Sequence, residues 1–199
     1  MSHQRPTSTE GSVSRASSVA ASAGLGVVAA LLGYLLTFLV VASEVRSGLE
    51  GDVAEWKGVA WYFYNAHLVE IEATGDVAGF GGTTTIDFIA QSDTARVTLL
   101  YAVPPVVLLG VGALLAYQFG VRDLGEAVIV GAPVTLGYVV VLAVGAVVSE
   151  TSTQAEFFGI QASGSMAPEL LPAILLGGLL FPLVFATSGA VIAAVVQSR

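Results

Sequence analysis

The chain has 199 residues, a net charge of −8, no cysteine and a mean hydropathy of +0.82. Without cysteine it forms no disulfide, thiolate metal site or cysteine nucleophile, and its acidity argues against a nucleic-acid partner. Only 11% of its residues are charged, and they are spaced so that long stretches carry none, which points to lipid as the main surroundings.

Residues 1–18 are rich in Ser, Thr and other polar side chains and show no apolar period, which predicts a disordered tail. Four uncharged stretches dominate the rest: Ala16–Ser43, Val97–Val121, Ala127–Ser149 and Leu170–Ser198. About 20 apolar residues cross the roughly 30 Å hydrocarbon layer. The expected fold is therefore all-α, a polytopic membrane protein whose residues 19–199 form one four-helix bundle with spans near 20–42, 97–119, 127–148 and 171–196. The third span shows the energetics. It holds twelve Val, Ile or Leu residues, each contributing roughly −0.3 to −0.6 kcal/mol on insertion, whereas one central carboxylate would cost about 2.5 to 3.5 kcal/mol. The first stretch exceeds the 7 to 15 residues of a signal-peptide core and is expected to be retained as a helix.

Between spans one and two lies a hydrophilic segment, 43–96, expected to be extracellular. From Glu44 to Arg96 it carries nine acidic residues against Arg46, Lys57 and Arg96, so most of the negative charge of the chain sits here. A solvated face explains this with less machinery than a cation-collecting vestibule. Within the segment, both tryptophans and two tyrosines fall in nine residues: Trp56, Trp61, Tyr62 and Tyr64, with Phe63 between them and His67 after. At helical spacing Trp56, Val59, Ala60, Phe63 and His67 share one face. Rings with a polar edge favour the headgroup level, so a short helix at the outer interface is expected, with Trp56, Trp61, Tyr62, Phe63, Tyr64 and His67 contacting lipid or a partner. Gly79, Phe80, Gly81 and Gly82 then mark a turn, and 83–90 reads as a short capped helix or an edge strand. The glycine run is no phosphate loop, because no Lys-Ser/Thr pair follows it.

Prolines punctuate the later spans. Pro104 and Pro105 lie in span two, Pro133 near the inner end of span three, and Pro168, Pro172 and Pro182 along span four. Each frees a carbonyl that a neighbour must satisfy in lipid; Tyr101, Thr135, Tyr138 and Thr187 are the expected partners. Tyr101, Pro104, Pro105 and Pro182 are the positions where a kink or a solute path would form. Small residues recur four apart, as in Gly26 and Ala30, Ala29 and Gly33, Ala186 and Ala190, and Gly189 and Ala193; such ridges allow close helix approach within a bundle or between copies.

No His, Asp or Glu lies in any span, so intramembrane acid-base catalysis and ion-coupled carriage lack their usual groups. His67, Glu70 and Glu72 are the only cluster of metal-ligand types, and a structural histidine explains it better than a metal site. No enzyme activity, metal or cofactor is expected. Arg5, Arg15, Arg122 and Arg199 on one side, against an outer loop Glu150–Glu169 without Lys or Arg, predict both termini in the cytoplasm.

Three elements together resemble a known group: the run Trp56-Lys57-Gly58-Val59-Ala60-Trp61-Tyr62-Phe63-Tyr64-Asn65-Ala66-His67, then Tyr101-Ala102-Val103-Pro104-Pro105, then Gly137-Tyr138 with Gly177-Gly178-Leu179-Leu180-Phe181-Pro182. In these the chain, over about Leu25 to Ala194, resembles an uncharacterised family of four-span membrane proteins of halophilic archaea, sometimes labelled transporters. The resemblance implies a haloarchaeal cell membrane and brings no catalytic or binding residues. A single lysine beside abundant Val, Ala and Gly agrees with a salt-adapted composition. The expected role is structural or accessory, binding lipids, a second copy or a partner subunit; the alternative is a passive transport or channel component for small solutes or ions.

Overall fold

The computed structural model describes residues 9–48, 53–157 and 160–199. Four helical segments are long and apolar enough to cross a membrane: Ser17–Gly48, Ala95–Gln118, Leu124–Val148 and Leu170–Gln197. The first belongs to α1 (Thr9–Gly48), which starts inside the stretch expected to be a disordered tail, so residues 9–18 are helical; residues 1–8 lie outside the described part. The outward faces of the four helices carry large apolar side chains. Leu39 is 78% exposed, Val106 64% and Val196 67%, a surface that suits hydrocarbon and not water.

Each later segment has joints, and the prolines sit at them. The second runs through α3 (Ala95–Thr98), a 3₁₀ turn (Leu99–Ala102) and α4 (Val103–Gln118). Pro104 and Pro105 occupy the first turn of α4, where the missing N–H costs nothing. The Leu100 carbonyl, which Pro104 cannot serve, accepts instead from the Val103 N–H. The third segment divides into α5 (Leu124–Gly131) and α6 (Val134–Val148) around Pro133. The fourth comprises α7 (Leu170–Pro172), a π-helical stretch (Ala173–Leu180) and α8 (Phe181–Gln197), with Pro182 in the first turn of α8. There the Phe181 N–H reaches back five residues to Leu176, a register shift that absorbs the proline. The expected side-chain rescuers do not serve these carbonyls. Tyr101 and Tyr138 bond other side chains, and the buried hydroxyls of Thr135 and Thr187 have no partner among the described residues. Backbone rearrangement does what the hydroxyls were expected to do.

The helices pack as a ring in which α1 lies on α6, α6 on the π-helical stretch, α8 on α4, and α4 on α1. Toward the end where α1 starts and α8 finishes, glycines let backbones touch. A Cβ at Gly137 would lie 1.8 Å from the Ala23 carbonyl oxygen, one at Gly26 2.0 Å from that of Val134, one at Gly112 1.9 Å from that of Ala186, and one at Gly189 2.1 Å from that of Leu109. The small-residue ridges thus serve packing within the bundle.

At the opposite end stands a four-stranded antiparallel sheet, which the all-α expectation missed. β1 (Ile71–Val77) and β2 (Phe80–Ile86) form one hairpin, β3 (Thr151–Phe157) and β4 (Ile160–Pro168) another, in the order β2-β1-β4-β3. The edge-strand alternative for the threonine run holds, while the Gly79–Gly82 turn shifts: Ala78 and Gly79, at φ 55° and 84°, form the two-residue loop and Gly81 and Gly82 belong to β2. Positive φ at both loop positions is the geometry that matches strand twist. One face of the sheet bears Thr74, Asp76, Thr83, Ser152, Gln154, Ser163 and Ser165, and the other bears Ala73, Val77, Phe80, Ala155, Ala162 and Met166. Strands of Thr, Ser, Gly and Ala alternate too weakly for a period-2 signal, and the β1–β4 ladder that joins the two hairpins pairs residues some 90 apart in the sequence, as Thr74 with Ser165.

Candidate functional site

The aromatic run forms α2 (Glu55–Asn65), with Glu55 favourably placed in its first turn. Instead of lying flat at the sheet end of the bundle, α2 descends between the long helices. Lys57 Nζ bonds the Glu150 carbonyl, Trp61 Nε1 donates to the Ser149 carbonyl at 3.2 Å, Tyr64 OH to the Leu142 carbonyl at 2.6 Å, and His67 meets Tyr138. The partners step down α6 from its end toward its middle. Burial follows: Trp61, Phe63, Tyr64 and His67 are all under 5% exposed, whereas Trp56 remains 44% exposed with Lys57 Nζ 5.5 Å over its ring. Tyr62 is half-buried against Phe88, and Trp61 stacks on the same ring at 6.0 Å. Apolar residues on both faces of α2 are enclosed, which is why one amphipathic stripe could not place it.

Glycines on the long helices make the room. A Cβ at Gly33 would lie 3.0 Å from Phe63 Cε2, at Gly145 2.6 Å from Tyr64 OH, and at Gly177 2.7 Å from Leu142 Cδ2 and 3.3 Å from His67 Cβ. His67 is fully buried, with its ring 4.6 Å from that of Phe63 and 5.2 Å from that of Phe181. Its Nδ1 lies 2.7 Å from the Phe63 carbonyl and its Nε2 2.7 Å from Tyr138 OH. A carbonyl only accepts, so Nδ1 carries the proton, and Tyr138 donates to Nε2. Burial pushes the imidazole down to about 4, against the Phe63 carbonyl, which favours the charged form. The neutral ring is a fixed tautomer joining α2 to α6.

Below His67 the chain reverses at Leu68, whose φ of 60° is strained for a residue with a side chain. The Leu68 and Val69 N–H groups close onto the Asn65 and Tyr64 carbonyls. Buried Asn65 then ties the turn to the sheet: Nδ2 donates to the Val69 and Ile86 carbonyls at 2.9 and 3.3 Å, and Oδ1 accepts from the Phe88 N–H at 2.9 Å. Asp87 accepts from the Ile89 and Ala90 N–H groups and, at 2.7 Å, from Tyr101 OH. Sequence reading passed over Asn65 and Asp87, because a polar residue at a helix end and a carboxylate in an acidic segment are both ordinary.

The reversal at Leu68 separates the metal-ligand types. His67 faces inward while Glu70 and Glu72 are exposed, and among the described residues no group of three or more His, Asp or Glu could hold a metal ion. In the acidic segment Arg46 pairs with Glu55 at 2.8 Å and Arg96 with Glu44; Glu50 and Asp52 lie outside the described residues. Tyr101 bonds Asp87, Pro104 and Pro105 open α4, and Pro182 follows Phe181, whose ring lies 5.2 Å from that of His67.

These features define a class: a protein with four helices long and apolar enough to cross a membrane, an aromatic helix inserted among them and a sheet at one end. The chain belongs to a family of unknown function, DUF7978, whose model matches residues 1–197. No curated protein and no solved structure matches it.

Proposed function

We propose that the chain is a multi-pass protein of a haloarchaeal cell membrane, with both termini cytoplasmic and the sheet outside, and that its role is structural or accessory. The observation that carries this reading is the closure of the bundle at both levels. Backbones meet at Gly26, Gly137, Gly112 and Gly189 toward the termini, and α2 fills the other half with Trp61, Phe63, Tyr64 and His67. A solid bundle displays surfaces: apolar helix faces toward lipid and an exposed sheet toward partners. The reading assigns no catalytic step and no cofactor. Its test is membrane integration and accessibility. After expression in a haloarchaeal host the protein should float with membranes and resist carbonate extraction, and a protease added to intact cells should cut at the Ala78–Gly79 turn but at neither terminus. Release by carbonate, or a terminus cut from outside, overturns it.

A passive path for small solutes is the second reading, favoured by the π-helical stretch and the Pro104, Pro105 and Pro182 joints, where helix segments can shift against one another. Liposomes holding the purified protein at high salt should then leak ions or small solutes faster than empty ones; equal rates retire it.

A further inference from the structure

The two outer strands of the sheet are unguarded. β2 and β3 end the order β2-β1-β4-β3, so among the described residues no strand pairs with their outer sides, and Phe80–Thr85 and Ser152–Gln154 are exposed. An edge of this kind is normally blunted by lysine, proline or inward charge. β2 carries none of these, and β3 has only Glu156. We infer that this sheet is completed by a second copy of the chain, β3 of one copy adding to β2 of the next.

Three observations select this pairing. The first is direction. β2 runs from the hairpin tip at Phe80 down to Ile86 at the bundle, and β3 runs from Thr151 at the bundle up to Phe157. Two copies standing the same way up in one membrane therefore bring β2 and β3 together antiparallel, whereas β2 on β2 or β3 on β3 would be parallel. The second is level. The register places Thr83, Thr74, Ser165 and Ser152 in one row across the sheet, and Phe80, Val77, Ala162 and Ala155 in another. Copies held at one height continue these rows, so Thr83 meets Ser152 of the next copy, a favourable hydroxyl pair, and Phe80, which is 87% exposed, meets small Ala155. The third is width. Four strands span about 19 Å at their usual spacing, close to the roughly 20 Å of two helices side by side beneath them, so joined sheets do not force the bundles to overlap. Such a head-to-tail contact repeats until it closes as a ring.

This inference rests on the membrane reading, because only a shared membrane fixes height and direction. The absence of native cysteine allows a direct test. In one copy Thr83 and Ser152 are three strand spacings apart, about 14 Å, beyond the roughly 7 Å limit for a disulfide. Oxidised membranes containing the double variant Thr83→Cys with Ser152→Cys should shift most of the chain to covalent multimers, and co-expressed single variants should give dimers. Each single variant alone should stay monomeric, and dimers from either one would overturn the β2-to-β3 pairing. Alternate N–H groups of β2 face the open edge, so one of Thr83→Pro and Thr84→Pro removes only an outward donor. That variant should keep the wild-type circular dichroism and lose the multimer in detergent or nanodiscs. A wild type that is monomeric in every detergent and nanodisc overturns the proposal while leaving the membrane reading intact; failure to float with membranes overturns the membrane reading itself.

Discussion

The two halves of the bundle solve the same packing problem in opposite ways. Toward the termini, glycines remove side chains so that helix backbones touch, with added Cβ atoms falling within about 2 Å of carbonyl oxygens. Toward the sheet the helices stand apart, and their glycines make room for rings, with Phe63, Tyr64 and Leu142 side-chain atoms 2.6 to 3.0 Å from the added Cβ. One half is backbone against backbone and tolerates nothing extra; the other is side chain against helix, and its fillers can give. The same residue type therefore carries different energetic weight at the two levels.

The largest expected effect tests the filled half. Trp61→Ala removes a fully buried ring stacked on Phe88 together with its bond to the Ser149 carbonyl, and should cost about 3 to 5 kcal/mol in detergent unfolding; Trp56→Ala, at an exposed ring, should cost under about 0.5 kcal/mol. Next comes the contrast itself. Gly137→Ala should cost about 3 kcal/mol, since backbones must separate, and Gly33→Ala less than about 1 kcal/mol, since only the edge of Phe63 stands in the way. Equal losses at the two sites would dissolve the distinction between the halves.

His67 sharpens the comparison through pH. Its folded value of about 4 lies below the ordinary 6.5, so the unfolded chain binds the proton first. Its contribution is intact above about pH 6.5, falls as pH drops toward 4, and levels below that. The wild type should lose up to about 1.4 kcal/mol per pH unit more than His67→Gln across that window. Parallel profiles would mean that the ring is not enclosed. Tyr138→Phe, which leaves Nε2 without its donor, should cost about 1 to 3 kcal/mol. The smallest effect is a gain: Leu68→Gly relieves the left-handed backbone and should raise stability by about 1 kcal/mol, read as a higher melting midpoint.

The sequence made the four long helices legible because charge is excluded from them by several kcal/mol per residue, a signal no local context can erase. The small-residue ridges were legible too, and Gly26 and Gly189 fall at real crossings. The sheet was not, since Thr151–Phe157 and Ile160–Pro168 read as polar loop until β1 is beside them. For the site, the ring cluster was visible as composition but its depth was not. Trp61 and Tyr64 have polar edges that an interface would satisfy equally well, and their actual acceptors, the Ser149 and Leu142 carbonyls, lie some 80 residues further on. Tyr138 was picked out for its hydroxyl, yet its partner is a histidine ring and not a proline-freed carbonyl.

The placement of α2 also dictates an order of events during synthesis. The ribosome releases Trp61, Tyr64 and His67 long before Tyr138, Leu142, Ser149, Gly177 and Phe181 exist as neighbours. Until the last two long helices have entered, this aromatic segment has only α1, the first hairpin with Phe88 and the start of the second segment to lean on, so final docking is a late step that waits for the carboxyl-terminal half of the chain.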